Sequence, residues 1–175
     1  MRGNLVERMR RLKLMIFDVD GVLTDGTLYY GETGAEIKAF NVRDGHGIKM
    51  LRESGVEVAI LSARRSRAVD ARAAELGLTL VEQGAGDKGK VFDGLIARAR
   101  VSAEASGYMG DDVVDLPVLT RCGFAASVPE ASALVRKRVH VVTRASGGRG
   151  AVREVCELIM RAQKTLDRAV ARQLA

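Results

Sequence analysis

Leu14-Met15-Ile16-Phe17-Asp18-Val19-Asp20-Gly21 is the stretch on which the reading of this chain turns. Four consecutive apolar residues bounded by polar ones read as a short buried strand. Two aspartates follow at once, with a single residue between them. Extended backbone alternates its side chains, so Asp18 and Asp20 point the same way from the end of that strand. An acidic pair at the carboxyl end of a buried strand is where parallel α/β sheets put their binding sites.

Outward from this point, further apolar runs recur at Val56–Leu61, Leu78–Val81, Tyr108–Met109, Gly123–Ala126 and Val139–Val142. Segments with helical spacing separate them: one closing at Leu51, then Ala68–Leu76, one around Val91, Leu95 and Ile96, and a short one at Leu134 and Val135. A last segment runs from about Ala151 to Ala169. This alternation predicts a Rossmann-like α/β fold, a doubly wound parallel sheet with helices on both faces. One segment breaks the rhythm. Leu28, Tyr29 and Tyr30, then Gly31-Glu32-Thr33-Gly34, then Glu36, Ile37, Lys38 and Phe40 read as a β-hairpin directly after the first strand, about residues 26–40. Its edges need cover, which pairing with other subunits provides; folding back on its own domain is the alternative. The whole of 1–175 reads as one domain with this insertion and with a C-terminal helix and tail at about 147–175.

The polar residues converge on the strand ends. Ser62 follows the second strand of the alternation, Lys88 opens the helix after the third, and Asp111 and Asp112 follow Tyr108-Met109. Three carboxylates in a small volume stay ionised only beside a cation, and a hard set of oxygen ligands suits magnesium. A carboxylate near a metal-bound phosphoryl group can attack phosphorus, so Asp18 is the expected nucleophile and Asp20 the acid and base. Ser62 and Lys88 would hold phosphoryl oxygens. Each residue alone has a bland reading: a turn for Asp20-Gly21, a helix cap for Ser62, Asp111 or Asp112, a solvated surface for Lys88. Their joint arrival at one sheet edge is what favours chemistry.

The charge balance argues against other classes. The formal net charge is +6, but aromatic residues are only 4%, which leaves no stacking platform for single-stranded nucleic acid. The arginines are spread along the chain as on solvated helix faces, and a basic surface also attracts small anions. Neither a secretory signal nor an apolar run long enough for a membrane is evident, and a cytoplasmic protein is expected. Cys122 and Cys156 lack metal-site spacing and read as reduced structural thiols, and His140 as a strand residue.

Asp18-Val19-Asp20-Gly21-Val22-Leu23, with Ser62, Lys88 and Gly110-Asp111-Asp112 through Asp115, resembles the four motifs of the haloacid dehalogenase superfamily. The hairpin, Phe40-Asn41-Val42-Arg43-Asp44-Gly45 and the late Gly147-Gly148-Arg149-Gly150-Ala151-Val152-Arg153-Glu154 are similar to a subgroup without a cap domain, the 3-deoxy-D-manno-octulosonate 8-phosphate phosphatases. That resemblance spans about Leu12 to Leu166. It implies a magnesium-dependent hydrolysis of that sugar-acid phosphate in lipopolysaccharide precursor synthesis, with a nine-carbon sugar-acid 9-phosphate as the alternative substrate. A non-catalytic scaffold of the same fold is the reading from another class. The resemblance implies metal ligation by Asp18, Asp111 and the backbone carbonyl of Asp20. Substrate contacts are implied at Asp20, Asn41, Val42, Arg43, Asp44, Gly45, Lys49, Arg64, Arg72 and Lys88. It also implies a homotetramer in which hairpins pack together and a neighbouring subunit closes the active site, with Arg149 of the tail reaching an active site. Ser62-Ala63-Arg64 stands where many relatives carry Thr-Gly-Arg, and Lys49 where some carry arginine.

Overall fold

The computed structural model describes residues 2–174. Helix α1 (Arg2–Arg10) leads into β1 (Leu14–Phe17), and the hairpin β2 (Tyr29–Tyr30) and β3 (Glu36–Ile37) follows. Then come α2 (Val42–Glu53), β4 (Glu57–Ser62), α3 (Arg67–Glu75), β5 (Leu80–Gln83), α4 (Lys88–Ala99) and β6 (Ser106–Met109). The chain closes with α5 (Leu116–Leu119), β7 (Phe124–Ser127), α6 (Ala133–Arg136), β8 (Val141–Val142), α7 (Ala151–Ala162) and α8 (Leu166–Ala171). The sheet has the order β5-β4-β1-β6-β7-β8, and each of its pairings is parallel. Strand β1 lies between β4 and β6, so the winding direction reverses around it. That reversal opens a crevice beyond its carboxyl end.

Burial explains the placement. Every residue of β1 and of β6 is buried, as covering on both faces requires. Helix α7 turns Val152, Val155, Cys156, Ile159 and Met160 inward at helical spacing. It packs on α2 closely enough that a Cβ on Gly47 would lie 3.1 Å from Cα of Arg153. The hairpin pairs Tyr29 with Ile37 and Tyr30 with Glu36. Among the described residues it is the insertion that follows β1, and no cap domain is present. No described helix is long and apolar enough to cross a membrane.

Several element boundaries depart from the sequence expectation. Helix α1 occupies a stretch for which the sequence pattern names no element. Strand β5 begins two residues late, because Gly77 at φ +67° and the Leu78 N–H donating to Ala73 O extend the end of α3. The last helical segment is two helices, since Lys164 takes a left-handed conformation at φ +59°. His140 lies just before β8 and brackets Ala125 instead, its N–H donating to the Ala125 carbonyl and its Nδ1 accepting from the Ala125 N–H.

Candidate active site

Beyond the ends of β1, β4 and β6 lies a cleft of about 250 Å³ lined by Asp18, Asp20, Ser62, Arg64, Lys88 and Asp111, with Gly26, Ala63, Asp112 and Val114. Asp18 is the first residue past β1. Its Oδ1 accepts from the Val19 N–H at 2.7 Å, and its Oδ2 lies 2.7 Å from Lys88 Nζ. The chain then makes the wide turn Val19–Leu23, closed by the Thr24 N–H on the Val19 carbonyl at 3.0 Å. Gly21 sits in that turn at φ +85°, and a Cβ there would lie 2.1 Å from Asp111 Oδ2. Only glycine supplies both the backbone conformation and the room for the carboxylate.

Lys88 is held from below. Its ammonium lies 2.6 Å from Asp115 Oδ1 and donates to Tyr108 OH at 3.2 Å, while Tyr108 OH donates to Asp115 Oδ1 at 2.6 Å. The other Asp115 oxygen accepts from the N–H groups of Asp111 and Asp112, each at 3.0 Å. Asp115 is thereby saturated, which fixes the loop that carries Asp111. A buried carboxylate and ammonium so paired are far stronger partners than surface ions. Burial would lower the Lys88 pKa, but the charges of Asp18 and Asp115 outweigh it and raise it.

Carboxylate oxygens of Asp18, Asp111 and Asp115 all lie within 4.8 Å of one another. Burial, then the Asp115 charge, pushes the Asp18 carboxyl up to about 8. Burial followed by Asp115 and Asp112 pushes Asp111 up to about 7. One ammonium does not neutralise this group. The set is short of positive charge and rich in hard oxygen donors, which is the chemistry a divalent cation fits. With Asp115 saturated, Asp18 and Asp111 are the carboxylates free to meet it. The Asp20 carboxylate stands outside that cluster, ion-paired to Lys38.

Ser62 ends β4 as expected, buried, with Oγ accepting from the Arg64 N–H at 3.3 Å. Arg64 reaches over the cleft, its guanidinium 2.9 Å from Glu36 Oε2 and 3.9 Å from Asp20 Oδ2. The remaining expected substrate contacts go elsewhere. Val42, Gly45, Lys49 and Arg72 line another, smaller depression of about 130 Å³ with His46, Glu75 and Leu76. Arg43 is exposed beside it. Asn41 caps α2, its Oδ1 accepting from the Arg43 N–H at 2.8 Å, and donates to Gly148 O at 3.4 Å. Asp44 is buried and turned away from both hollows. Its carboxylate accepts from the N–H groups of Gly150 and Arg153, at 3.2 and 2.8 Å, and so serves the first turn of α7. Burial raises its pKa, against the lowering by those two N–H groups.

Sequence reasoning passed over several parts of the site. Lys38 and Tyr108 carried no motif; the signals were alternation in the hairpin for the first and the aromatic in a buried strand for the second. The Gly147-Gly148 pair was read as part of the tail. It lies against the turn after Asp18 in its own chain, the Gly148 N–H donating to Val22 O at 2.9 Å. A Cβ on Gly147 would fall 1.9 Å from Gly21 O. Arg149 reaches Asp25 of the same chain at 3.5 Å.

No family model matches the chain. Among curated proteins, it is 45% identical over 166 residues to 3-deoxy-D-manno-octulosonate 8-phosphate phosphatase KdsC of Yersinia pestis, with 95% of this chain and 89% of the relative covered. The chain belongs to the 3-deoxy-D-manno-octulosonate 8-phosphate phosphatase family. Two solved phosphatases of this family place its fold beside theirs. The Moraxella catarrhalis enzyme, in complex with magnesium ion, phosphate ion and KDO, is 40% identical with a TM-score of 0.95, over 98% of this chain and 99% of that one. The cobalt-bound enzyme of Haemophilus influenzae is 43% identical with a TM-score of 0.87, over 90% and 92% of the two chains. Both metal-bound relatives have an α/β architecture like that which brings Asp18 and Asp111 together here.

Proposed function

We propose that this phosphatase hydrolyses 3-deoxy-D-manno-octulosonate 8-phosphate to the free sugar acid and phosphate through an aspartyl-phosphate on Asp18. The observation that carries the reading is the buried Asp18–Lys88–Asp115–Tyr108 array, with Asp111 beside it and Asp20 and Ser62 facing the same cleft. Family membership supports the substrate.

The chain's own residues account for both halves of the reaction. An Asp18 carboxylate oxygen forms a bond to phosphorus while the bond to the sugar oxygen breaks. That oxygen keeps the electron pair and takes the proton of the Asp20 carboxyl. In the second half Asp20 takes a proton from water, the water oxygen bonds phosphorus, and the acyl-phosphate bond breaks to restore the Asp18 carboxylate. Ser62 and Lys88 hold phosphoryl oxygens through both steps, stabilising charge in flight. Asp18, Asp111 and the Asp20 backbone carbonyl would hold magnesium, which when bound offsets the crowded carboxylates and polarises the phosphate.

Recognition of the sugar acid falls to Arg64 and to Asn41, Val42, Arg43, Gly45, Lys49 and Arg72, since a guanidinium grips a carboxylate by two bonds. Asp44 contributes by holding that loop on α7. One chain splits these residues between two hollows, and Tyr29 and Ile37 stand 46% and 55% exposed on the outer face of the hairpin. Both facts support a homotetramer in which hairpins associate and the depression of one subunit completes the cleft of the next. Work on a cytoplasmic lipopolysaccharide precursor follows from the substrate.

The test is phosphate release from the octulosonate 8-phosphate and from a nonulosonate 9-phosphate, in magnesium and in chelator. Fast magnesium-dependent turnover of the first is expected. Preference for the second would keep the chemistry and replace the substrate, and inertness toward both would return the chain to a scaffold role.

A further inference from the structure

Strand β3 sends alternate side chains to opposite sides, and its two sides have different fates. Ile37 points outward and is 55% exposed, whereas Glu36 and the following Lys38 point inward. The Lys38 side chain is only 2% exposed and is ion-paired to both Glu36 and Asp20. Glu36 in turn binds Arg64 at 2.9 Å, and Arg64 also donates to Tyr30 OH at 3.3 Å. Lys38 thus engages Oδ1 of Asp20, which lines the cleft, and the other oxygen lies 3.9 Å from Arg64 Nε. Through this chain of ions the hairpin reaches the reacting groups. A lysine buried this deeply persists only where paired carboxylates meet it.

We propose that Lys38 is a positioning residue for Asp20: it holds that carboxyl toward the leaving oxygen and stabilises the charge left when the proton departs. The proposal rests on the reaction assigned above, in which Asp20 is the acid. It makes the hairpin part of the acid machinery as well as an outer face for other subunits.

Leaving groups of different basicity separate this role from mere structural support. An alkoxide needs a proton as its bond to phosphorus breaks, whereas p-nitrophenolate leaves without one. Because kcat/KM reports the steps up to release of the alcohol, it isolates the half-reaction in which Asp20 is the acid. In Lys38→Met, kcat/KM for an alkyl phosphate (the sugar-acid phosphate or glycerol phosphate) should fall about ten- to a hundredfold, a share of what general acids supply. That for p-nitrophenyl phosphate should fall less than about threefold. In an Asp20→Asn background the same substitution should cost nothing further on alkyl phosphates, the sign that one residue acts through the other. Lys38→Arg should restore part of the alkyl activity. Equal losses on alkyl and aryl phosphates, or a full additional loss in the Asp20→Asn background, would overturn the proposal. Lys38→Gln carries the same comparison where Lys38→Met does not fold. Wild-type chain inert toward every phosphate ester would instead remove the reaction itself.

Discussion

In the cleft beyond β1, Asp18, Lys88 and Asp115 are buried, and each charge faces an opposite one within hydrogen-bond distance. In the depression at the start of α2, Val42 is 78% exposed and Lys49 is exposed beside Arg72. The charges of the first hollow are paired within one chain; the second has the groups to grip an anion but little to enclose it. The contrast separates two demands. Phosphoryl transfer needs charges fixed before the substrate arrives, and burial in a saturated network fixes them. Recognition of the rest of the substrate can be left to a surface that the proposed assembly would enclose.

The strongest way to break this comparison is to disable the cleft alone. Asp18→Asn should lower turnover at least about a thousandfold, because a nucleophile acts only as part of its set. It should leave thermal stability unchanged or raised, since a buried carboxyl lifted by desolvation becomes a neutral amide. A melting curve beside the activity assay checks both. Gly21→Ala is the next step down. The new methyl would push Asp111 from its place and strain a turn at φ +85°. The expected result is a loss on the order of a hundredfold that is partly recovered by excess magnesium, read from a magnesium titration of activity.

The depression makes a different prediction. Arg72 stacks over the Phe40 ring with 5.9 Å between guanidinium carbon and ring centroid, and donates to Asn41 O at 3.3 Å. Arg72→Ala should raise KM about tenfold or more while changing kcat little, the pattern of lost uniform binding. The sharper experiment mixes this variant with Asp18→Asn and lets subunits exchange. If the depression of one chain serves the cleft of its neighbour, the mixture, assayed with substrate well below KM, should regain about a quarter of wild-type activity, the chance that both halves of a site are intact. Activity no higher than the average of the two variants measured separately would place both hollows in the service of their own chain.

The same contrast decides what could be read before the fold was seen. The β1 stretch announced itself because an apolar run followed by two aspartates leaves few alternatives, and Ser62, Lys88 and Asp111 each stand at the end or start of a periodic segment. Parallel topology then does the rest, since it brings those ends to one edge. Lys38 and Tyr108 were not legible, because their partners are 18 and 20 residues away and nothing in local pattern links a hairpin lysine to Asp20 or a strand tyrosine to Lys88. Asp44 sat in a resemblance to substrate-binding loops, and only tertiary packing shows its carboxylate on the start of α7, 106 and 109 residues along. The break at Lys164 was hidden because helical periodicity continues across it and the left-handed residue is not glycine.

The smallest effect tests that placement of Asp44. Desolvation raises its folded-state pKa above the unfolded value near 3.9, so between those two values the folded chain binds more protons than the unfolded one. Its contribution to stability therefore falls as pH rises through that window, and Asp44→Asn, which does not titrate, should lack the fall. The amide accepts one of the two α7 N–H groups and presents its own NH2 to the other, a cost of about 1 kcal/mol as for a weakened helix cap. Denaturant melts of the two chains should thus differ most at the low end, about pH 4, and draw together as the pH rises. A substrate-facing Asp44 would give parallel stability curves and a raised KM instead, and would move this residue from the frame of the depression into its contact surface.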